Sequence, residues 1–229
     1  MKLLKTTLAA AFAATALATT APADITGITA TNEGLLAPND LINWGNLGPY
    51  GTQLTDGTSV ESNNGLATTI SDPSSNSFAV GQQGGNVNGD FTPGANLLIN
   101  QGPATYFDLN FASPVSGAGF RIDAGMSNYY TATLTALDAQ GDVLGTFSED
   151  GWAGSQTFIG VTSSLSDISK LEVSANPTYG AGIIIGNVAV TDSVPEPSTS
   201  GLVAGVGLLA LGAAAKHRLT ATSRQSASA

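Results

Sequence analysis

The 229-residue sequence predicts an all-β domain, an antiparallel β-sandwich or jelly roll, and three observations carry that prediction. Asp, Glu, Lys and Arg together make up only 10% of residues, too few to clothe the polar faces of long amphipathic helices. The 28 glycines, set among abundant Thr, Ser and Asn, suit short strands joined by many turns. Between Asp24 and Asp192, apolar and polar residues alternate in short runs bounded by Gly, Asn, Asp and Pro, with no helical periodicity.

Taken in order, the first strands are expected at Ile25–Ala30, Asp40–Trp44, Leu66–Ile70, Asn76–Val80 and Asn96–Ile99. Tyr106–Phe111 alternates cleanly, with Phe107, Leu109 and Phe111 on one face, and Pro114 is expected to end it. In Ala118–Asp123, Ala118, Phe120 and Ile122 point one way while Gly119, Arg121 and Asp123 point the other, which suggests an Arg121–Asp123 pair. Tyr129–Asp138 sets Thr131, Thr133 and Thr135 against Ala132, Leu134 and Ala136, and Gln140-Gly141-Asp142 turns it into Val143–Phe147 as a hairpin. Phe158–Val161, Ile168–Val173 and Gly182–Val190 follow. The last, with Ile183, Ile184 and Ile185 consecutive, reads as one central strand buried on both faces. Eight to eleven strands of this kind fill two packed sheets.

The two ends read as addresses. Residues 1–23 place Lys2 and Lys5 before an Ala- and Leu-rich stretch and finish in Ala21-Pro22-Ala23, the pattern of a secretory signal cleaved before Asp24. Residues 24–192 form the β domain, and 193–200 a Pro- and Ser-containing linker. Residues 201–218 form an apolar helix with a basic end, and 219–229 a polar tail. At about 1.5 Å per residue, Gly201–Ala215 reaches roughly 22 Å, short of a hydrocarbon core of about 30 Å. Its Gly and Ala content makes it weakly hydrophobic, which suits a transient inner-membrane anchor held on the inside by Lys216 and Arg218.

Charge and composition exclude whole classes. The segment Asp24–Glu196 holds all seventeen acidic residues and only Arg121 and Lys170 as cations, a net charge of −15. Such a field repels nucleic acid and other polyanions and draws Ca²⁺ or cationic surfaces. No cysteine is present, so thiol catalysis and cysteine metal sites fall away. The single histidine, His217, lies in the C-terminal segment, which leaves the domain without a Ser-His-Asp triad or imidazole-bound metal hydroxide. Paired carboxylates of the glycosidase kind are the one enzyme chemistry still open. Glu149-Asp150-Gly151 beside Trp152 reads as a turn, however, so no catalytic residue is assigned and the protein is expected not to be an enzyme.

Binding residues are easier to find. Exposed aromatic side chains stack on sugar faces, and of Trp44, Tyr50, Tyr106, Tyr129, Tyr130, Trp152 and Tyr179 the leading candidates are Trp44, Tyr129 and Trp152, with a place in the core or its rim as the alternative for the two Trp. Asn86, Asn88 and Asp90 alternate hard oxygen donors around Gly, a candidate site for a structural Ca²⁺, although no Glu closes the loop.

The C-terminal order of Val194-Pro195-Glu196-Pro197-Ser198-Thr199, apolar run and Lys216-His217-Arg218 resembles the PEP-CTERM proteins. The eleven residues Leu219–Ala229 extend past the point where that family usually stops. The resemblance implies processing by an exosortase-type enzyme near the Pro-Glu-Pro motif and release to the cell surface or extracellular matrix, in association with extracellular polysaccharide or biofilm. A carbohydrate-binding or calcium-dependent adhesion module is the alternative, and an acidic glycosidase a remote one. Asn43-Trp44-Gly45, Phe111–Phe120, Leu134–Phe147 and Phe158–Val161 together resemble a domain that recurs in such proteins. That likeness implies a jelly roll similar to galactose-binding-like and lectin-like modules and names no ligand residues. Gly186-Asn187 stands where those families often carry Asp-Asn.

Overall fold

The structure is a computed structural model that describes residues 23–73, 77–87, 89–101, 106–124, 129–176 and 182–192. The expected signal peptide up to residue 22, the sorting motif, the apolar helix and the polar tail lie outside the described residues. Among the described residues no helix is long and apolar enough to cross a membrane.

The strands are β1 (Ile25–Thr29), β2 (Asp40–Ile42), β3 (Gln53–Leu54), β4 (Ser59–Glu61), β5 (Ala67–Ser71), β6 (Ser77–Gln82), β7 (Asn96–Gln101) and β8 (Tyr106–Val115). They continue as β9 (Gly117–Asp123), β10 (Tyr130–Leu137), β11 (Val143–Gly151), β12 (Thr157–Ser163), β13 (Ile168–Asn176), β14 (Ile184–Ile185) and β15 (Val188–Thr191). One antiparallel sheet runs β1-β12-β9-β14-β7-β6-β3, with β15 joining β9 to β2. The other runs β11-β10-β13-β8-β5-β4. The inward residues of both sheets interlock in one core that includes Phe78, Phe107, Leu109, Leu134, Ile159 and Val161. Phe78 and Phe107 meet edge to face across it, ring centroids 5.7 Å apart.

The antiparallel sandwich therefore stands, with local corrections. The expected C-terminal strand is two strands, because Gly186-Asn187 leaves the ladder between β14 and β15. Trp44 fills that break. Its fully buried indole donates Nε1–H to the Gly186 carbonyl at 2.7 Å, and its main-chain N–H donates to Asn187 Oδ1 at 3.3 Å. For the same reason the strand expected at Asp40–Trp44 stops at Ile42, and Trp44–Leu47 forms a 3-10 turn capped by Asn43.

Pro114 does not end β8. Pairing with β13 skips between Asn110 and Val115, and Pro114 sits exposed in that irregular stretch, where it owes the ladder no N–H. Glu149-Asp150-Gly151 is not a turn but the end of β11. The short strands β3 and β4 carry too few residues to show an alternation and are absent from the sequence reading.

The two cations of the domain are both engaged. Arg121 pairs with Glu33 at 2.6 Å and lies 5.9 Å from the Phe158 ring centroid. The expected Asp123 partner is instead buried and accepts the Gly154 N–H at 3.0 Å. Lys170 on β13 reaches Asp108 on the neighbouring β8 at 3.3 Å.

Replacing Trp44 by Ala is expected to lower unfolding free energy by about 3–5 kcal/mol, the usual cost of emptying a large aromatic site. Trp44→Phe keeps most of the volume but strands the Gly186 carbonyl, at about 1–3 kcal/mol. Denaturant unfolding of both variants, followed by circular dichroism, measures the two costs.

Candidate functional site

The hairpin of β10 and β11 builds an ordered polar surface with exposed aromatic rings at one end. Its turn is closed by the Asp138 carboxylate, which accepts from the main-chain N–H groups of Gln140 at 2.9 Å and Asp142 at 2.8 Å. Gly141, at φ +86, supplies the left-handed residue that this turn requires. The turn fixes the register, and the register places Thr131 opposite Asp150, Thr133 opposite Ser148 and Thr135 opposite Thr146. Each pair is hydrogen bonded side chain to side chain on the solvent face, at 2.8, 3.0 and 3.2 Å respectively. The inner face of the same strand carries Ala132, Leu134 and Ala136, all fully buried.

At the open end of this polar ladder the next residues outward are Tyr129 and Trp152. Trp152 is 63% exposed and Tyr129 44% exposed, and their rings meet edge to face with centroids 5.6 Å apart. The Tyr129 hydroxyl bonds the Asp150 carboxylate, which also accepts from Thr131. These two donors hold Asp150 below the ordinary carboxylate range, Tyr129 contributing more than Thr131. The same hydrogen bond, followed by smaller effects of desolvation and of the Asp150 charge, pushes the Tyr129 phenol above its ordinary value. Across neutral pH the corner therefore presents two aromatic rings, an ionised carboxylate and a neutral phenol.

Neighbouring buried groups hold this corner rigid. Tyr130, one residue from Tyr129 and hence on the opposite face, is fully buried and donates its hydroxyl to the Ile122 carbonyl of β9 at 2.8 Å. Burial, reinforced by the charge of Asp123, pushes that phenol far up, so it stays a donor. Gly151, paired with Tyr130, leaves no room for a side chain: a Cβ there would collide with the Tyr130 ring. Beyond it, Trp152 sits in a tight turn closed by Ser155 N–H to the Trp152 carbonyl at 2.8 Å, with Gly154 at φ +78 tied to buried Asp123.

The structure thus brings Tyr129 and Trp152 together and separates Trp44 from them. Trp44 is entirely buried and offers no face to a ligand. In the proposed calcium loop, Asn86 Oδ1 accepts the Gln82 main-chain N–H at 2.9 Å, which caps the turn, and the Asp90 carbonyl accepts from Gln156 Nε2 at 2.8 Å. Asn88 lies outside the described residues, as do Val194–Thr199 and Lys216–Arg218. Among the described residues no cluster of three His, Cys, Asp or Glu side chains is arranged to hold a metal. Thr131 and Asp150, which adjoin the two exposed rings, are not among the binding candidates that the sequence offers. The signal was available in the hairpin register, which pairs them directly and aligns Asp150 with Trp152 on one face.

The C-terminal residues 193–218 match the PEP-CTERM protein-sorting motif. A chain bearing it is an exported protein sorted through its C-terminus by an exosortase-type enzyme. No curated protein matches the chain in sequence. Three solved structures share parts of its course. The enzymatically active domain of tailspike protein 4 from bacteriophage CBA120 aligns over 65% of this chain, at 14% identity and a TM-score of 0.32, and the chain spans only 20% of that domain. A DUF4465 family protein from Bacteroides caccae aligns over 65% of this chain and 99% of its own, at 13% identity and a TM-score of 0.32. The carbohydrate-binding module CBM6cm-2 of Cellvibrio mixtus lichenase 5A, in complex with cellotriose, aligns over 67% of this chain and 96% of its own, at 16% identity and a TM-score of 0.24. Scores at this level transfer neither fold nor ligand, so the chemistry of the corner rests on its own residues.

Removing the phenol by Tyr129→Phe is expected to raise the Asp150 pKa toward the ordinary carboxylate value, because the larger of its two stabilising donors is lost. The contribution of that bond is full above the ordinary carboxylate range and disappears as pH falls through the lowered Asp150 pKa. An NMR titration of the Asp150 carboxyl carbon, native against variant, reads the upward move directly.

Proposed function

We propose that this protein is a non-catalytic component of the cell surface or extracellular matrix, released by exosortase-type processing near Pro195–Pro197, that associates with extracellular polysaccharide through the Tyr129–Trp152 corner. The observation that carries this reading is the pair of exposed, rigidly backed aromatic rings beside Asp150. Sugar rings present apolar C–H faces and hydroxyl edges, and an aromatic platform with an adjacent carboxylate acceptor answers both. Burying either ring against another surface removes apolar area from water at about 25 cal/mol per Å², and a preorganised ring loses little entropy in doing so.

The hydroxyl ladder extends the surface. Its rungs repeat every two residues, about 7 Å, along the hairpin away from the aromatic corner. A polysaccharide strand laid there exchanges water hydrogen bonds for Thr and Ser hydroxyls, which adds contact length more than affinity. A binding role also fits the carboxylates better than hydrolysis does. Glu149 and Asp150 are adjacent in a strand and project to opposite faces, whereas glycoside hydrolysis needs two carboxyls flanking one bond. The transient anchor role of residues 201–218 belongs to the same reading: this apolar segment holds the chain at the inner membrane until the processing enzyme acts.

Two measurements test this. Substituting Pro195 and Pro197 by Ala is expected to leave the tail uncut and the protein with the inner membrane. Intact mass of the native product, by contrast, is expected to show loss of the residues beyond the motif. Trp152→Ala is expected to weaken retention of the secreted protein on its own extracellular polysaccharide about tenfold in affinity electrophoresis; undiminished retention would rule out the corner as the contact.

A further inference from the structure

The same corner carries information about which sugars it takes. This inference rests on the polysaccharide reading above and narrows it. A uronic acid or sulfated glycan needs a cation to receive it, and the segment Asp24–Glu196 has only Arg121 and Lys170. Both are already bound to carboxylates, Arg121 to Glu33 and Lys170 to Asp108. Neither lies on the strands that carry the corner: Arg121 is on β9 of the other sheet, and Lys170 pairs with Leu137 at the far end of β10 from Tyr129. An anionic sugar at Tyr129–Trp152 thus meets Asp150 unscreened, inside the segment Asp24–Glu196 of net charge −15.

The arrangement has the opposite complement. A carboxylate held between a phenol and a Thr hydroxyl, with two exposed rings at its side, offers a cation one charge-assisted hydrogen bond and two π faces. The cation must be small and carried on a flat, partly apolar body to use the rings at the same time. We infer that the Tyr129–Asp150–Trp152 corner selects glycans bearing free amino groups, that is, partly or fully de-N-acetylated hexosamine polymers, with the ammonium on Asp150 and the sugar ring on Trp152. Between the lowered Asp150 pKa and the pKa of the sugar amine, the carboxylate is ionised and the amine protonated, and the hydrogen bonds to Asp150 widen that window on its acid side. On the same sheet face Thr131, Thr133, Thr135, Ser148 and Thr146 are neutral, while Glu172 of β13 pairs with Thr135 two rungs farther along, next to the Lys170–Asp108 pair, so Asp150 is the ladder carboxylate at the aromatic corner.

The experiment is isothermal titration of the secreted protein with four size-matched oligosaccharides and one peptide: a glucosamine hexamer, an N-acetylglucosamine hexamer, a cellohexaose, an oligogalacturonate, and a lysine tetramer as a charge-only probe. The glucosamine hexamer is expected to bind at least about tenfold more tightly than the acetylated and neutral oligomers. Its affinity should fall as pH rises past the sugar amine's own pKa. Asp150→Asn should abolish the preference while leaving the weak neutral binding, and Trp152→Ala should remove both. Circular dichroism of each variant is expected to match the native spectrum, which checks that these exposed substitutions leave the sheets intact. Equal binding of amino and neutral oligomers overturns the amino-sugar assignment and leaves the polysaccharide reading standing. Preference for the galacturonate overturns it too. Binding of the lysine tetramer that matches the glucosamine hexamer and ignores Trp152→Ala reduces the effect to bulk charge and overturns it. Failure of every glycan, including the native polysaccharide, removes the polysaccharide reading and this inference together.

Discussion

The sandwich depends on one buried hydrogen bond, from the indole of Trp44 to the carbonyl of Gly186. It joins a turn near the N-terminal side of the domain to the last pair of strands, 142 residues away in sequence. Because the indole occupies the gap between β14 and β15, the chain can leave β7, where β14 pairs, and take up β2, where β15 pairs, while both halves stay on β9. The interruption would otherwise leave main-chain groups unpaired in the core. Instead the Trp44 indole N–H donates to the Gly186 carbonyl, the Gly186 N–H donates to the Arg121 carbonyl at 2.8 Å, and the Asn187 side chain accepts the Trp44 main-chain N–H. Closure of the nine-stranded sheet and seating of the largest core residue are thus one event.

A second constraint works at the opposite sheet. A strand sends successive side chains to opposite faces, so burying Tyr130 obliges Tyr129 to face water, and placing Gly151 against the Tyr130 ring obliges Asp150 and Trp152 to do the same. The buried Tyr130 hydroxyl ties β10 to β9 of the facing sheet, and Asp123 at the end of β9 ties down the turn that carries Trp152. Core packing and site geometry are therefore the same set of contacts seen from two sides. A corner built this way has its ring positions set by the fold itself, the preorganisation that the proposed polysaccharide contact calls for.

Electrostatics sets the company the domain keeps. With both cations consumed by ion pairs, the exposed surface presents acceptors and hydroxyls almost alone. Those ion pairs are partly exposed and contribute little to stability, on the order of 1 kcal/mol or less each. Their larger effect is to remove positive charge from the surface. Export through a sorting tail places this acidic surface outside the cytoplasm, where its field repels polyanions.

How much of this was legible in the sequence follows from range. Alternation and turn residues are local, so the long strands from Tyr106 onward, the hairpin at Gln140-Gly141-Asp142 and the two-sheet class could be read directly, as could the C-terminal sorting motif. Composition settled the charge and the lack of cysteine. What the sequence could not show was which aromatic residue goes in and which stays out. Trp44 and Trp152 both sit beside Gly, yet one is sealed by a carbonyl 142 residues away and the other stands free on a turn held by Asp123. The break at Gly186-Asn187, the Glu33 partner of Arg121 and the alignment of Tyr129, Asp150 and Trp152 were likewise settled by pairing between distant segments. Burial and register belong to two strands at once, and no single stretch of chain carries them.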